Sequence, residues 1–227
     1  MQQPWAARVA ALRWTPSPHL AVAVALTIGW VAPQGLAPLA AAVADLYIPE
    51  VARRLGAAWE ADCLSFAGVT MGVARLQAIL REIGSAWAAD RQGGVDGGMV
   101  LLVLPQGEQH TLGAMVLAGQ LRRMGVSVAM KISPTPAEIA DFVAERTFDG
   151  ALVSVASKDR LETCRKLVKT LKESSKGALK VAVGGAILDA DEDVRRSIGA
   201  DMVTNDISRA LMMMGVTVGR ASDSELT

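Results

Sequence analysis

Met99-Val-Leu-Leu-Val-Leu104-Pro-Gln-Gly-Glu-Gln-His110-Thr-Leu-Gly113 decides how this chain folds. Six consecutive apolar residues read as a strand covered on both faces, the mark of a parallel sheet. The run stops at Pro105, and a polar loop then carries an imidazole two residues after a carboxylate. A helical pattern from Thr111 to Met124 follows at once. A buried strand that ends in a polar loop at a helix start is a ligand-facing turn of an α/β sheet. His110 is one of two histidines in the 227 residues, so imidazole chemistry is concentrated in this loop.

Downstream the pattern alternates. Ser127 to Lys131 reads as a second strand, and Thr135-Pro136-Ala137-Glu138 is a capping box that opens a helix to about Arg146. Gly150 to Ser154 is a third strand, followed by a lysine-rich helix from about Asp159 to Ser174. Lys180 to Val183 is a fourth, ending in Gly184-Gly185, and Asp189 to Glu192 repeats the capping-box spacing. Met202 to Thr204 is a short fifth strand and Ile207 to Met214 a final helix. Strict alternation predicts an α/β fold, a flavodoxin-like (Rossmann-like) five-stranded parallel sheet with helices on both faces. The polar tail, 220–227, is expected to fray.

Upstream the period is helical. Leu39, Val43 and Leu46 continue a helix from Leu36, and Pro49 restarts it. Val51, Leu55 and Trp59 fall along one face of the next helix. Phe66, Val69, Val73, Leu76, Leu80 and Ile83 form the seam of another, with Gly84 as its expected stop. An N-terminal helical bundle is therefore expected over 19–92, an α/β domain over 93–219, and between them the glycine-rich Gln92 to Gly98 as boundary. Residues 1–18, broken by Thr15-Pro16-Ser17-Pro18, read as a flexible arm. The apolar run His19 to Pro33 is short for a bilayer. It suits a buried helix better than a signal-peptide core, because nothing downstream reads as secreted.

Composition narrows the function. The 23 basic and 23 acidic residues cancel, which argues against a protein that grips nucleic acid through a wide basic face. Lys158, Arg160, Arg165, Lys166, Lys169 and Lys172 read as a solvated helix face. Cys63 and Cys164 match no zinc or redox spacing and fit inert thiols of a cytoplasmic protein. Neither the dinucleotide nor the P-loop glycine pattern occurs. In a sheet of order 2-1-3-4-5 the His110 loop, the end of the third strand at Ser154-Val155-Ala156-Ser157, and Gly184-Gly185 are neighbours, so one ligand can touch all three. Alone, a loop histidine is more often a surface residue, and strand-end glycines are common in turns. The spacing changes that balance.

Glu108-x-His110-x-x-Gly113, forty residues, Ser154-x-Ala156, twenty-seven residues, then Gly184-Gly185, resembles the Asp-x-His-x-x-Gly, Ser-x-Leu, Gly-Gly blocks of cobalamin-binding domains. Glutamate stands for the aspartate and Ala156 for the leucine. The resemblance implies that His110 is the lower axial ligand of cobalt, with Glu108 on its other ring nitrogen. Thr111, Leu112, Gly113, Ser154, Ala156, Gly184 and Gly185 would belong to the cofactor site, where most line a slot for the displaced nucleotide tail. Leu55-Gly-Ala-Ala-Trp59 looks like the start of the helical cap of cobalamin photoreceptors and corrinoid methyltransferase proteins, and Val69-Thr70 stands where the photoreceptors carry a Glu-His pair. From Trp59 to Gln77 the chain is similar to the PpaA/AerR group, cobalamin-binding regulators of photosynthesis genes in purple bacteria. That resemblance implies a non-enzymatic, light-responsive antirepressor that acts through a repressor-type transcription factor, contacts DNA mainly indirectly and uses no membrane. Trp59, Val69 and Thr70 would meet the cofactor's upper face. A corrinoid methyl carrier is the alternative function, and haem bound through His110 the alternative cofactor.

Overall fold

The computed structural model describes residues 37–89, 97–185 and 196–219. Two compact units divide the chain, 1–42 and 43–227. Of the first, only helix α1 (Ala37–Ala42) is described. All that follows concerns the second. The expected arm, the run His19 to Pro33, the capping box at Asp189 and the tail from Arg220 lie outside the described residues.

A π-helical turn, Val43–Tyr47, leads into α2 (Ile48–Glu60), and α3 (Phe66–Ala89) returns beside it. Then come β1 (Met99–Leu104), α4 (Thr111–Arg123), β2 (Ser127–Ile132), α5 (Pro136–Glu145), β3 (Gly150–Ser154), α6 (Leu161–Ser174), β4 (Val181–Gly184), β5 (Met202–Val203) and α7 (Ile207–Met214). The strands form one parallel sheet of order β2-β1-β3-β4-β5, the expected arrangement. From Val100 to Leu104 every β1 residue is fully buried, which is why the stretch is apolar without alternation. Even-numbered β1 residues pack under α4 and α7, and odd-numbered ones under α5 and α6. Thr135 closes its capping box as expected: its hydroxyl accepts from the Glu138 N–H at 3.2 Å, and the Glu138 carboxylate accepts from the Thr135 N–H at 2.7 Å.

Two helical expectations need correction. The Leu39–Val43–Leu46 stripe packs inward only at Val43, which is partly buried: Leu46 is 66% exposed, while Ala44 and Ile48 are the fully buried residues. The π turn adds a residue per turn and so rotates the stripe. The π segment ends at Tyr47, and α2 opens at Ile48 with Pro49 in its first turn, as expected, where its missing N–H costs no helical hydrogen bond. Gly84 does not end α3, which continues to Ala89. A glycine inside a helix costs only about 1 kcal/mol, which the packing of a long helix offsets.

Ala44, Ile48, Leu76 and Leu80 of the helical pair bury against Leu112 and Val116 of α4. Each buried large aliphatic side chain contributes about 2 kcal/mol, so this contact is a firm one. Polar ties hold both ends. Asp45 accepts from Arg123 at 2.5 and 2.6 Å beside the C-terminal end of α4, and Thr111 Oγ1 accepts from Gln77 Nε2 at 2.8 Å at its N-terminal end. With the polarity fixed in this way, the α2–α3 turn lies past the carboxyl edge of the sheet. Eleven residues separate Phe66 from Gln77, about 16 Å of helix beyond the level of Thr111.

Candidate functional site

Three loops meet at the carboxyl edge, and a single carboxylate joins two of them. Glu108 is the buried charged residue of the described core, 4% exposed. Its Oε1 accepts from the His110 backbone N–H at 2.8 Å and from His110 Nδ1 at 2.7 Å, and its Oε2 accepts from the Ala156 N–H at 2.8 Å. Burial pushes the Glu108 carboxyl upward, but the Ala156 and His110 backbone donors and the His110 ring outweigh it and hold the group below its ordinary value. A carboxylate only accepts, so Nδ1 carries a hydrogen, and in the neutral ring the lone pair is on Nε2. The His110 side chain is 70% exposed, with Nε2 outward. A histidine held in this way by a buried carboxylate is oriented as a metal ligand would need to be.

Beside His110 lies a cavity of about 390 Å³. Its origin is topological. On this face α4 packs over β1 and α7 crosses the start of β3, where Met214 lies against Gly150, so the carboxyl end of β3 is left open between the two helices. Leu152 and Ser154 of β3 form its floor, Gly113, Val116, Leu117 and Gln120 of α4 one wall, and Ile207 and Ala210 of α7 the other. Thr204, Asn205 and Asp206 close it with Gly184 and Gly185. Thus His110, Gly113, Ser154, Ala156, Gly184 and Gly185 are brought together. Glu108 stands behind His110. Thr111 and Leu112 turn the other way, Thr111 to Gln77 and Leu112 into the helical pair.

The glycines divide by role. A Cβ on Gly113 would meet nothing within 4 Å and would project into open space, so its absence leaves room for a ligand. Gly184 and Gly185 are required by the protein itself. A Cβ on Gly184 would come within 2.8 Å of Thr204 O, and on Gly185, at φ +129°, it would strike Val155 O. The Gly185 N–H is instead free to bond Asn205 Oδ1 at 2.8 Å.

Trp59, Val69 and Thr70 sit near the turn of the helical pair. Trp59 is 49% exposed and meets Phe66, itself 72% exposed, edge-on at 6.4 Å. Thr70 spends its hydroxyl on Phe66 O at 2.9 Å. Val51, Trp59 and Phe66, expected along packed faces, are therefore exposed; the buried seam is confined to Leu76 and Leu80, where α4 lies opposite. The sequence reading missed Gln120, Leu152, Thr204, Asn205 and Ile207. The one signal for the last group was Asp206, whose side chain caps α7 by accepting from the Arg209 N–H at 3.1 Å.

A B12-binding domain model matches residues 98–210. A Rhodobacter capsulatus protein, described as an uncharacterized 20.5 kDa protein in the bchF-crtJ intergenic region, is 47% identical over 166 residues, 73% of this chain and 86% of that protein. The chain belongs to the B12-binding proteins of the PpaA/AerR type. The Methanosarcina barkeri monomethylamine corrinoid protein shares the fold, with a TM-score of 0.58 at 14% identity over 73% of this chain and 77% of its own. A cobalamin-binding protein from Desulfitobacterium hafniense DCB-2 aligns over 85% of this chain and 96% of its own, at 19% identity and a TM-score of 0.46.

The residues fit the cofactor of such a B12-binding protein. His110 offers an outward Nε2 with its tautomer fixed, and an apolar slot open at Gly113 lies beside it. That slot suits a corrinoid, whose nucleotide tail needs lodging, whereas haem has no such tail. A B12-binding domain is a carrier module, not itself catalytic. Among the described residues no helix is long and apolar enough to cross a membrane, and no three His, Cys, Asp or Glu side chains gather as a metal cluster.

Proposed function

We propose that this chain is a light-responsive antirepressor, cytoplasmic, that carries a cobalamin and acts on a repressor of photosynthesis genes. The observation that carries this reading is the junction at Thr111: the residue after the cobalt-ligating His110 is bonded to Gln77 of the helical pair. When bound, the corrinoid supplies a cobalt–carbon bond that light can break. The chain's own residues hold, orient and report. His110 would hold the cobalt through Nε2, and Glu108 accepts the hydrogen bond from Nδ1 that orients the ring. Gly113, Ser154 and Ala156 line the slot for the tail. Trp59, Val69 and Thr70 face the upper side from the helical pair, and neither Val69 nor Thr70 offers a nitrogen ligand.

The helical pair then carries the signal. Tied at Gln77 and Asp45, it moves as one body, and its exposed Tyr47 and Val51 give a partner protein an apolar contact. DNA is reached through that partner, since the lysines of α6 are engaged by neighbours: Lys172 with Asp201 at 2.9 Å and Lys169 with Glu173 at 3.7 Å. The bchF-crtJ setting of the Rhodobacter relative supports a photosynthesis-gene context.

Absorption spectra of the purified protein with hydroxo-, methyl- and adenosylcobalamin, in darkness and after illumination, test the reading. A histidine-ligated cobalt spectrum that changes on illumination, together with a light-dependent change in binding to the repressor, is expected. Multiple-turnover methyl transfer to an acceptor, with no response to light, would instead assign the corrinoid carrier role.

A further inference from the structure

One polar side chain in the cavity is used neither by the His110 chemistry nor by the strand ends. Gln120 lines the slot from α4, seven residues or about 10 Å along the helix from Gly113. The walls around it are apolar: Val116, Leu117, Leu152 and Ile207. The other polar groups at that end are engaged. Thr204 Oγ1 accepts from the Asp206 N–H at 3.0 Å, Asn205 Oδ1 from the Gly185 N–H at 2.8 Å, and Asp206 Oδ1 from the Arg209 N–H at 3.1 Å. The half-buried Gln120 amide makes no hydrogen bond among the described residues.

An amide offers both donors and an acceptor. Set far along an apolar slot, it pairs with a planar base that has a polar edge, and it is left unsatisfied by a methylated edge. We infer that Gln120 reads the lower base of the corrinoid, so that the slot holds a cobamide bearing a purine more tightly than one bearing dimethylbenzimidazole. The assignment rests on the corrinoid reading of the site. It makes Gln120 a specificity-determining residue that acts on the tail and not on cobalt.

Spectroscopic titration with adeninylcobamide, hydroxocobalamin and cobinamide, which lacks the base, tests it in the wild-type chain and in Gln120→Leu and Gln120→Ala. Wild type is expected to favour adeninylcobamide by about tenfold, the size of one hydrogen bond in an apolar site. Gln120→Leu should reverse that order, Gln120→Ala should abolish it, and cobinamide affinity should be the same in all three. A base preference unchanged by both variants, or a wild-type preference for dimethylbenzimidazole, overturns the role of Gln120. Failure of the wild type to bind all three corrinoids overturns the reading of the site itself.

Discussion

The lower side of the site and the helical pair above it are built on opposite principles. Below, Glu108 is buried, makes three hydrogen bonds and fixes the His110 ring before any ligand arrives. Above, Trp59, Phe66 and Met71 are 49%, 72% and 58% exposed, and the Trp59–Phe66 contact stands near the free end of a helical pair anchored two to three turns away. A preorganised ligand lowers the ordering cost of binding, whereas a sparsely contacted aromatic pair is able to rearrange. On the proposed reading, the cofactor would be held where the protein is fixed and sensed where it is loose.

The contrast predicts where substitutions hurt. Gly185→Ala should have the largest effect, because it places a methyl against Val155 O at a φ of +129°; a loss on the order of 3 kcal/mol is expected by urea denaturation. Glu108→Ala should follow closely. It strands the Ala156 and His110 N–H groups and should cost about 2–3 kcal/mol, while an equal substitution at Trp59 leaves stability almost unmoved.

Acid should separate the two regions as well. The Glu108 carboxyl titrates lower in the folded chain than in the unfolded one, so its contribution is complete above the unfolded value near 4.5 and is lost as pH falls through the folded value. Stability of the wild type should therefore decline below about pH 4.5. Glu108→Gln should flatten that part of the profile, measured by thermal melts across pH 3 to 7.

Gly113→Ala sharpens the distinction between glycines that serve the fold and those that serve a ligand. In a helix with open space at its Cβ, alanine should raise stability by about 0.5–1 kcal/mol, while cobalamin affinity falls as the methyl enters the slot. A rise in affinity would place the tail elsewhere. Trp59→Ala has the smallest expected effect on folding, under about 1 kcal/mol, with normal histidine coordination and an altered light response. A light response identical to wild type would remove Trp59 from the upper face.

Much of the arrangement was legible in the sequence because its signals are local. β1 is apolar without alternation, Thr135 and Glu138 announce a helix start, and Glu108, His110 and Gly113 lie within six residues of one another. The three motif blocks became a site once the strand order was known. What escaped was set by packing. The inward face of the first helices turns on the π turn at Val43–Tyr47, which no periodicity shows. Gln120, Leu152 and Ile207 line one cavity because two helices leave the carboxyl end of β3 open between them, a property of the sheet and not of any segment. Gly184 and Gly185 were legible as the end of a strand, but what forbids a side chain there is Thr204 and Val155, distant in sequence.

The bond from Glu108 Oε2 to the Ala156 N–H has a kinetic consequence. It couples the loop after β1 to the loop after β3, so the histidine acquires its orientation only when those strands have paired, and keeps it afterwards. Capture of a corrinoid by the folded protein then needs no refolding of the receptor. If His110 takes the place of the base that a corrinoid carries on cobalt, release of that base would be the slow event, and the observed rate should be a property of the incoming molecule: fast for cobinamide, slower for cobalamin, and insensitive to how long the protein has stood empty.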